Sequence, residues 1–122
     1  MPILDVAVVI AEDEVVVPCW VEQIADAAGA IFETPSGKTW VRIRSLARSD
    51  YAENGMRYAQ GLRPVFVSVL KAKGPLIETL RTEIQQLTQE IASITGRRAE
   101  NIHILYHPPS AGRISFGVTL VE

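Results

Sequence analysis

Two strand-length runs rich in β-branched residues, 2–10 (PILDVAVVI) and 64–72 (PVFVSVLKA), each open on a proline. Each is followed by a helical pattern and then by another strand pattern. In the first unit Glu12-Asp13-Glu14 ends the run and Pro18 opens a helix, where its missing N–H costs nothing. Trp20, Ile24, Ala27, Ala28 and Ile31 give that helix an apolar face, Thr34-Pro35-Ser36-Gly37 stops it, and 38–46 reads as a strand. In the second unit Ile77, Leu80, Ile84, Leu87, Ile91 and Ile94 form a stripe along a helix over 75–95. Pro75 and Gly96 bound it, and Glu78, Arg81, Glu83, Gln85 and Gln89 fall on the face expected to be solvated. Residues 101–107 (NIHILYH) then read as a strand, 108–112 as a turn and 113–120 as a terminal strand.

A helical crossover joins strands in parallel and packs on one side of the sheet. The expectation is therefore an α+β fold in one domain over 1–122. Two β-α-β units, 2–46 and 64–107, would share a mixed four-stranded sheet with both helices on one face. The units echo each other: Arg42 follows Pro2 by 40 residues, and His103 follows Pro64 by 39. Between them lies a polar stretch, 47–63, of a length that often serves function.

Bulk properties exclude several classes. The 122 residues carry a formal net charge of −2, unlike a surface that coats nucleic acid. No run reaches the roughly 18 apolar residues of a membrane span. The start, Met1-Pro2-Ile3-Leu4-Asp5, lacks a basic leader, so a cytoplasmic protein is expected. Cys19 is the sole cysteine, so no intrachain disulfide can form. With only two histidines beside it and no ligand spacing, a structural zinc site is not expected, and the glycines form no phosphate-binding loop, so neither a metal nor a nucleotide cofactor is implied.

By alternation Trp40, Arg42 and Arg44 share one side of their strand. Arginine suits a carboxylate because its planar fork donates two parallel hydrogen bonds. Arg113 is a further candidate in the terminal segment. His103 and His107 share a side of their strand and read as structural, hydrogen-bonded residues before they read as an acid–base pair. Tyr51, Glu53 and Asn54 in the polar stretch could activate water, although a solvated loop is the plainer reading.

The element order, with Met-Pro opening a buried-type strand and GRISFG near the end, resembles the tautomerase superfamily, which includes 4-oxalocrotonate tautomerase and macrophage migration inhibitory factor. The resemblance implies removal of Met1, after which the Pro2 secondary amine acts as a general base. It matches Arg42 to the family's carboxylate-binding arginine, makes Arg113 and Arg44 further substrate-binding candidates, and makes Phe116 an apolar wall. The arginine that short members carry after the first strand is replaced here by Ala11-Glu12-Asp13-Glu14. The chemistry is sound: a terminal amine titrates near pH 8, and desolvation and nearby cations lower it toward a neutral-pH base. The expected activity is cofactor-independent tautomerisation of a small 2-oxo or enol carboxylate. The alternatives are a proline acid that decarboxylates a 3-oxo acid or hydrates an unsaturated one, and a non-catalytic binding protein of the same fold. Strands 2–10 and 64–72 carry apolar residues on both faces, which calls for a partner surface. The resemblance sets the expected partner as two more copies, a homotrimer.

Overall fold

The computed structural model describes residues 1–56 and 62–122. Four strands form the main sheet: β1 (Ile3–Ile10), β2 (Trp40–Ala47), β3 (Val65–Leu70) and β4 (Ile102–Tyr106), in the order β2-β1-β3-β4. Helix α1 (Cys19–Ile31) connects β1 to β2 and helix α2 (Ile77–Thr95) connects β3 to β4. Both outer pairs are parallel, whereas β1 and β3 run antiparallel at the centre, so the sheet is mixed as expected.

Alternation explains the layering. Leu4, Val6 and Val8 of β1 and Val65, Val67 and Val69 of β3 point to the helix side and are buried. There they meet Trp20, Ile24 and Ala28 of α1 and Leu87 and Ile91 of α2. The opposite face is mixed in character. It carries Asp5, Arg42, Arg44, Ser68 and His107 around a shallow depression, with Phe66, His103 and Leu105 beside it. Phe66 and Leu105 remain exposed there.

Helix α1 ends with Glu33 at φ 54, where the Thr34 N–H reaches back to the Gly29 carbonyl. Helix α2 ends at Gly96, whose φ of 69 suits a residue without Cβ.

Three sequence expectations are corrected. The segment 113–120 is not one strand. It folds as a hairpin of β5 (Ser115–Phe116) and β6 (Thr119–Leu120), turning at Gly117 with φ 64. The stripe on α2 does not begin to bury at Ile77, which is exposed; its buried line is Glu83, Leu87, Ile91 and Thr95, a series spaced by four. Glu83, expected to be solvated, is 7% exposed. The polar stretch begins with a 3-10 turn at Arg48–Asp50 and a tight turn bridged between Glu53 and Met56. Its part over 57–61 lies outside the described residues.

Candidate active site

The antiparallel register sets Ile3 against Leu70. Continued by one residue, it brings Pro2 opposite Lys71. Pro2 is fully buried, and its carbonyl accepts the Trp40 N–H at 3.1 Å. The Trp40 ring stacks on Phe116, with centroids 4.6 Å apart and planes 16° from parallel. The terminal hairpin therefore brings Phe116 to the Pro2 end of the sheet. Arg113 is exposed on the turn before that hairpin, its own N–H bonded to the Ser110 carbonyl.

Beside Pro2 opens a cavity of about 480 Å³, lined by Met1, Lys71, Lys73, Pro75, Thr79 and Glu122 among others. Two lysines thus border the chain terminus. Lys71 continues the helix-side alternation of Val65, Val67 and Val69. Its ammonium lies 3.0 Å from Glu83 Oε2 and 4.8 Å from the centre of the Phe32 ring. The other Glu83 oxygen accepts the Tyr106 hydroxyl at 2.7 Å. Burial, then the bond to and charge of Glu83, push the Tyr106 phenol well above its ordinary range. The Met1 amine is lowered from 8.0, first by desolvation and then by the charge of Lys71.

The arginines matched in the sequence lie elsewhere. Arg42 grips Asp5 with two bonds, Nε to Oδ1 at 2.7 Å and Nη2 to Oδ2 at 3.0 Å, on the open face of the sheet. Those bonds raise Arg42 above its usual pKa. Arg44 and His107 border the same depression as this pair, and the His103 ring lies 5.2 Å from Phe66. The depression that Arg42, Arg44 and His107 line does not include Pro2.

Tyr51 donates its hydroxyl to Glu53 and packs its ring 5.8 Å from Phe66, so this pair also belongs to the open face. Burial, then Glu53, push its phenol up to about 12. Asn54 sits in the neighbouring turn. Among the described residues no group of three or more His, Cys, Asp or Glu is placed to hold a metal, and no helix is long and apolar enough to cross a membrane.

Sequence reasoning missed Lys71, Lys73, Glu83 and Tyr106. The signal for Lys71 lay in the pairing of the two proline-led runs: antiparallel pairing puts the end of one beside the start of the other. Glu83 could have been read from the four-residue series it opens on α2.

No protein-family model matches this chain, and no curated protein does. Solved structures do match. A fused 4-OT wild-type symmetric trimer superposes with a TM-score of 0.78 at 16% identity, covering 98% of this chain and 94% of that one. Macrophage migration inhibitory factor from Oncomelania hupensis gives 0.78 at 20% identity, covering 100% and 83%. A malonate semialdehyde decarboxylase inhibited by 3-bromopropiolate gives 0.68 at 19%, covering 92% and 88%. All three are tautomerase-superfamily proteins, and the chain has their fold.

Proposed function

We propose that this chain is a cofactor-independent tautomerase of a small 2-oxo or enol carboxylate, with Pro2 as the base once Met1 has been removed. The observation that carries the reading is the placement of Pro2: a buried proline one residue behind the terminus, opposite Lys71 in the continued strand register and next to Met1, which with Lys71 and Lys73 lines a cavity. Removing Met1 moves the free amine onto the proline nitrogen, deeper than the Met1 amine and under the same cation. Desolvation and the lysine charge both favour its neutral form.

The chemistry follows from that arrangement. The neutral amine takes a proton from the carbon next to the substrate carbonyl, and the electron pair moves onto the carbonyl oxygen as an enolate. Returning the proton to that oxygen gives the enol; the reverse sequence ketonises it. Lys73, at the cavity edge, holds the carboxylate. The Trp40–Phe116 stack closes the Pro2 end of the sheet with apolar surface.

Arg42 and Arg44 serve the site only across a subunit boundary. The open sheet face that carries them packs on a neighbour in the homotrimer we propose, a state consistent with the trimeric neighbours of the fold. Arg113 lies on an exposed turn and serves as a secondary carboxylate contact. The two lysines favour the base reading over a protonated proline acting on 3-oxo or unsaturated acids, and a preformed cavity at the terminus favours catalysis over a binding role alone.

The test uses protein whose mass verifies loss of one methionine, assayed for ketonisation of phenylenolpyruvate. The expected result is a rate well above buffer that Pro2→Ala abolishes. No rate from the mass-verified protein, or full activity in Pro2→Ala, refutes the reading. Light scattering at micromolar concentration is expected to give three times the chain mass.

A further inference from the structure

Glu83 is an acidic residue buried in the middle of a helix packed on the sheet, an expensive placement unless both oxygens are satisfied. Both are, one by the Lys71 ammonium and one by the Tyr106 hydroxyl. The three side chains come from three elements or their flanks: Lys71 just past β3, Glu83 on α2 and Tyr106 on β4. Phe32, just past α1, adds its ring to the Lys71 ammonium from a fourth side. A lysine in free solution samples many rotamers, and its field at any one point is averaged out. This lysine has 20% side-chain exposure and is fixed by a carboxylate with 9%. Lys73 lines the same cavity and takes no part in that network.

We infer that the two lysines divide the work: Glu83 and Tyr106 act as positioning residues that lock Lys71 as a fixed cation facing the terminal amine, which keeps that amine neutral, while Lys73 receives the substrate carboxylate. This rests on the proline-base reading for its use in turnover, but the electrostatic arrangement is measurable without turnover. Among the described residues the charged and titratable groups around Lys71 are the chain-terminal amine just ahead of β1, Glu83 on α2 and Tyr106 on β4. Lys73 and Glu122 border the shared cavity. Lys71 and Met1 line the same cavity, and the charge of Lys71, after desolvation, lowers the Met1 amine.

Two accounts of Glu83 make opposite predictions. If the carboxylate merely screens Lys71, its neutralisation in Glu83→Gln exposes more lysine field and the terminal amine titrates lower. If it anchors Lys71, its loss lets the ammonium swing into solvent and the amine titrates higher.

The experiment labels proline with nitrogen-15 in the full chain, with loss of Met1 verified by mass, and follows the Pro2 amine by NMR from pH 4 to 10. Lys71→Met is expected to raise its midpoint by roughly one unit, the order expected for removing a like charge a few ångströms away. Lys71→Arg is expected to restore the wild-type midpoint to within about half a unit. Glu83→Gln is expected to raise the midpoint, by less than Lys71→Met does. Tyr106→Phe, which removes one hydroxyl and tests the network if Glu83→Gln does not fold, is expected to raise it by a smaller amount still. Lys73→Ala is expected to leave the midpoint in place and to raise KM several-fold with a smaller change in kcat.

An unchanged midpoint in Lys71→Met overturns the inference. So does a midpoint that falls or stays put in Glu83→Gln or, where that variant does not fold, in Tyr106→Phe. A midpoint that moves with Lys73→Ala as far as with Lys71→Met overturns the division of work. If the wild-type midpoint behaves as expected but no substrate turns over, the functional reading fails and the electrostatic inference stands.

Discussion

Replacing Arg97 by methionine removes a buried cation while keeping a long apolar side chain in its place. Arg97 has 5% side-chain exposure and makes five hydrogen bonds to described residues. Three go to the carbonyls of Arg63, Thr95 and Val9, and two to the two oxygens of Glu14. Its guanidinium also lies 5.7 Å from the centre of the Trp20 ring. Removing one member of a fully buried ion pair costs about 3–5 kcal/mol. Glu14 keeps 20% exposure, its bond to the Ala11 N–H and its pair with Arg63, so the charge left behind is partly compensated. Three carbonyls losing a charged donor add to the cost. A loss of about 3 kcal/mol in unfolding free energy follows, measured by urea denaturation at fixed protein concentration. Arg63→Met removes the outer partner, which is 35% exposed, and should cost under about 1 kcal/mol. A loss below 1 kcal/mol for Arg97→Met, or a larger one for Arg63→Met, would refute the reasoning.

The same cluster gives a pH signature. Burial works against the charge on Glu14, but the bonds from Arg97 and the Ala11 N–H, with the charges of Arg97 and Arg63, outweigh it and hold the carboxyl below 4.5. A lowered folded-state value means that its stabilisation is complete above the unfolded value and is lost as pH falls through the folded one. The wild type is expected to lose stability below about pH 4.5, and Arg97→Met to lose less over that window.

Gly96→Ala, at a φ of 69, is expected to cost about 1 kcal/mol by thermal or urea unfolding. Glu33→Gly, at the other non-helical cap with φ 54, should cost nothing or stabilise by a few tenths of a kcal/mol. Phe116→Ala removes a stacked pair with Trp40 worth about 0.5–1.5 kcal/mol beyond its burial, and should raise the rate of limited proteolysis near Gly117. Ultraviolet titration should find the Tyr51 phenol ionising near pH 12, and Glu53→Gln should bring it down.

The architecture was legible because it rests on periodicity. Two β-branched runs of strand length and two stripes of helical period leave few alternatives once each crossover must pack on a sheet. The site was legible only where it lies on a single element. Pro2 and Phe116 could be singled out as candidates because each stands in a recognisable local setting. Arg42 was placed on the correct side of its strand, but its partner Asp5 lies 37 residues away on a neighbouring strand, and no local pattern discloses that pairing. Glu83 was misread because it flanks the Ile/Leu stripe and charge suggests solvent; Lys71, just past β3, and Tyr106 on β4 make its burial tolerable. The hairpin over 115–120 was read as one strand because Gly117, the residue that turns it, sits in a segment otherwise well patterned for strand.

The two proline-led units also explain why the molecule has one candidate site of this kind per chain rather than two. Antiparallel pairing of β1 with β3 puts Pro2 and Pro64 at opposite ends of the sheet centre, both fully buried. Pro64 is an internal residue, so its nitrogen is an amide with no basicity. Its carbonyl accepts the Val9 N–H, and the neighbouring space holds the guanidinium of Arg97 bonded to Val9, Arg63 and Glu14. An ion-pair cluster thus occupies that end. At the Pro2 end the corresponding space is a cavity, and its charges, Lys71 and Lys73, are of one sign except for Glu122 at its edge. The ends therefore differ in the two properties a proline base needs: a nitrogen that can become a free amine, and cations around it that disfavour its protonation. Sequence duplication alone predicts two equivalent ends; side-chain chemistry makes one a buried brace and leaves the other open.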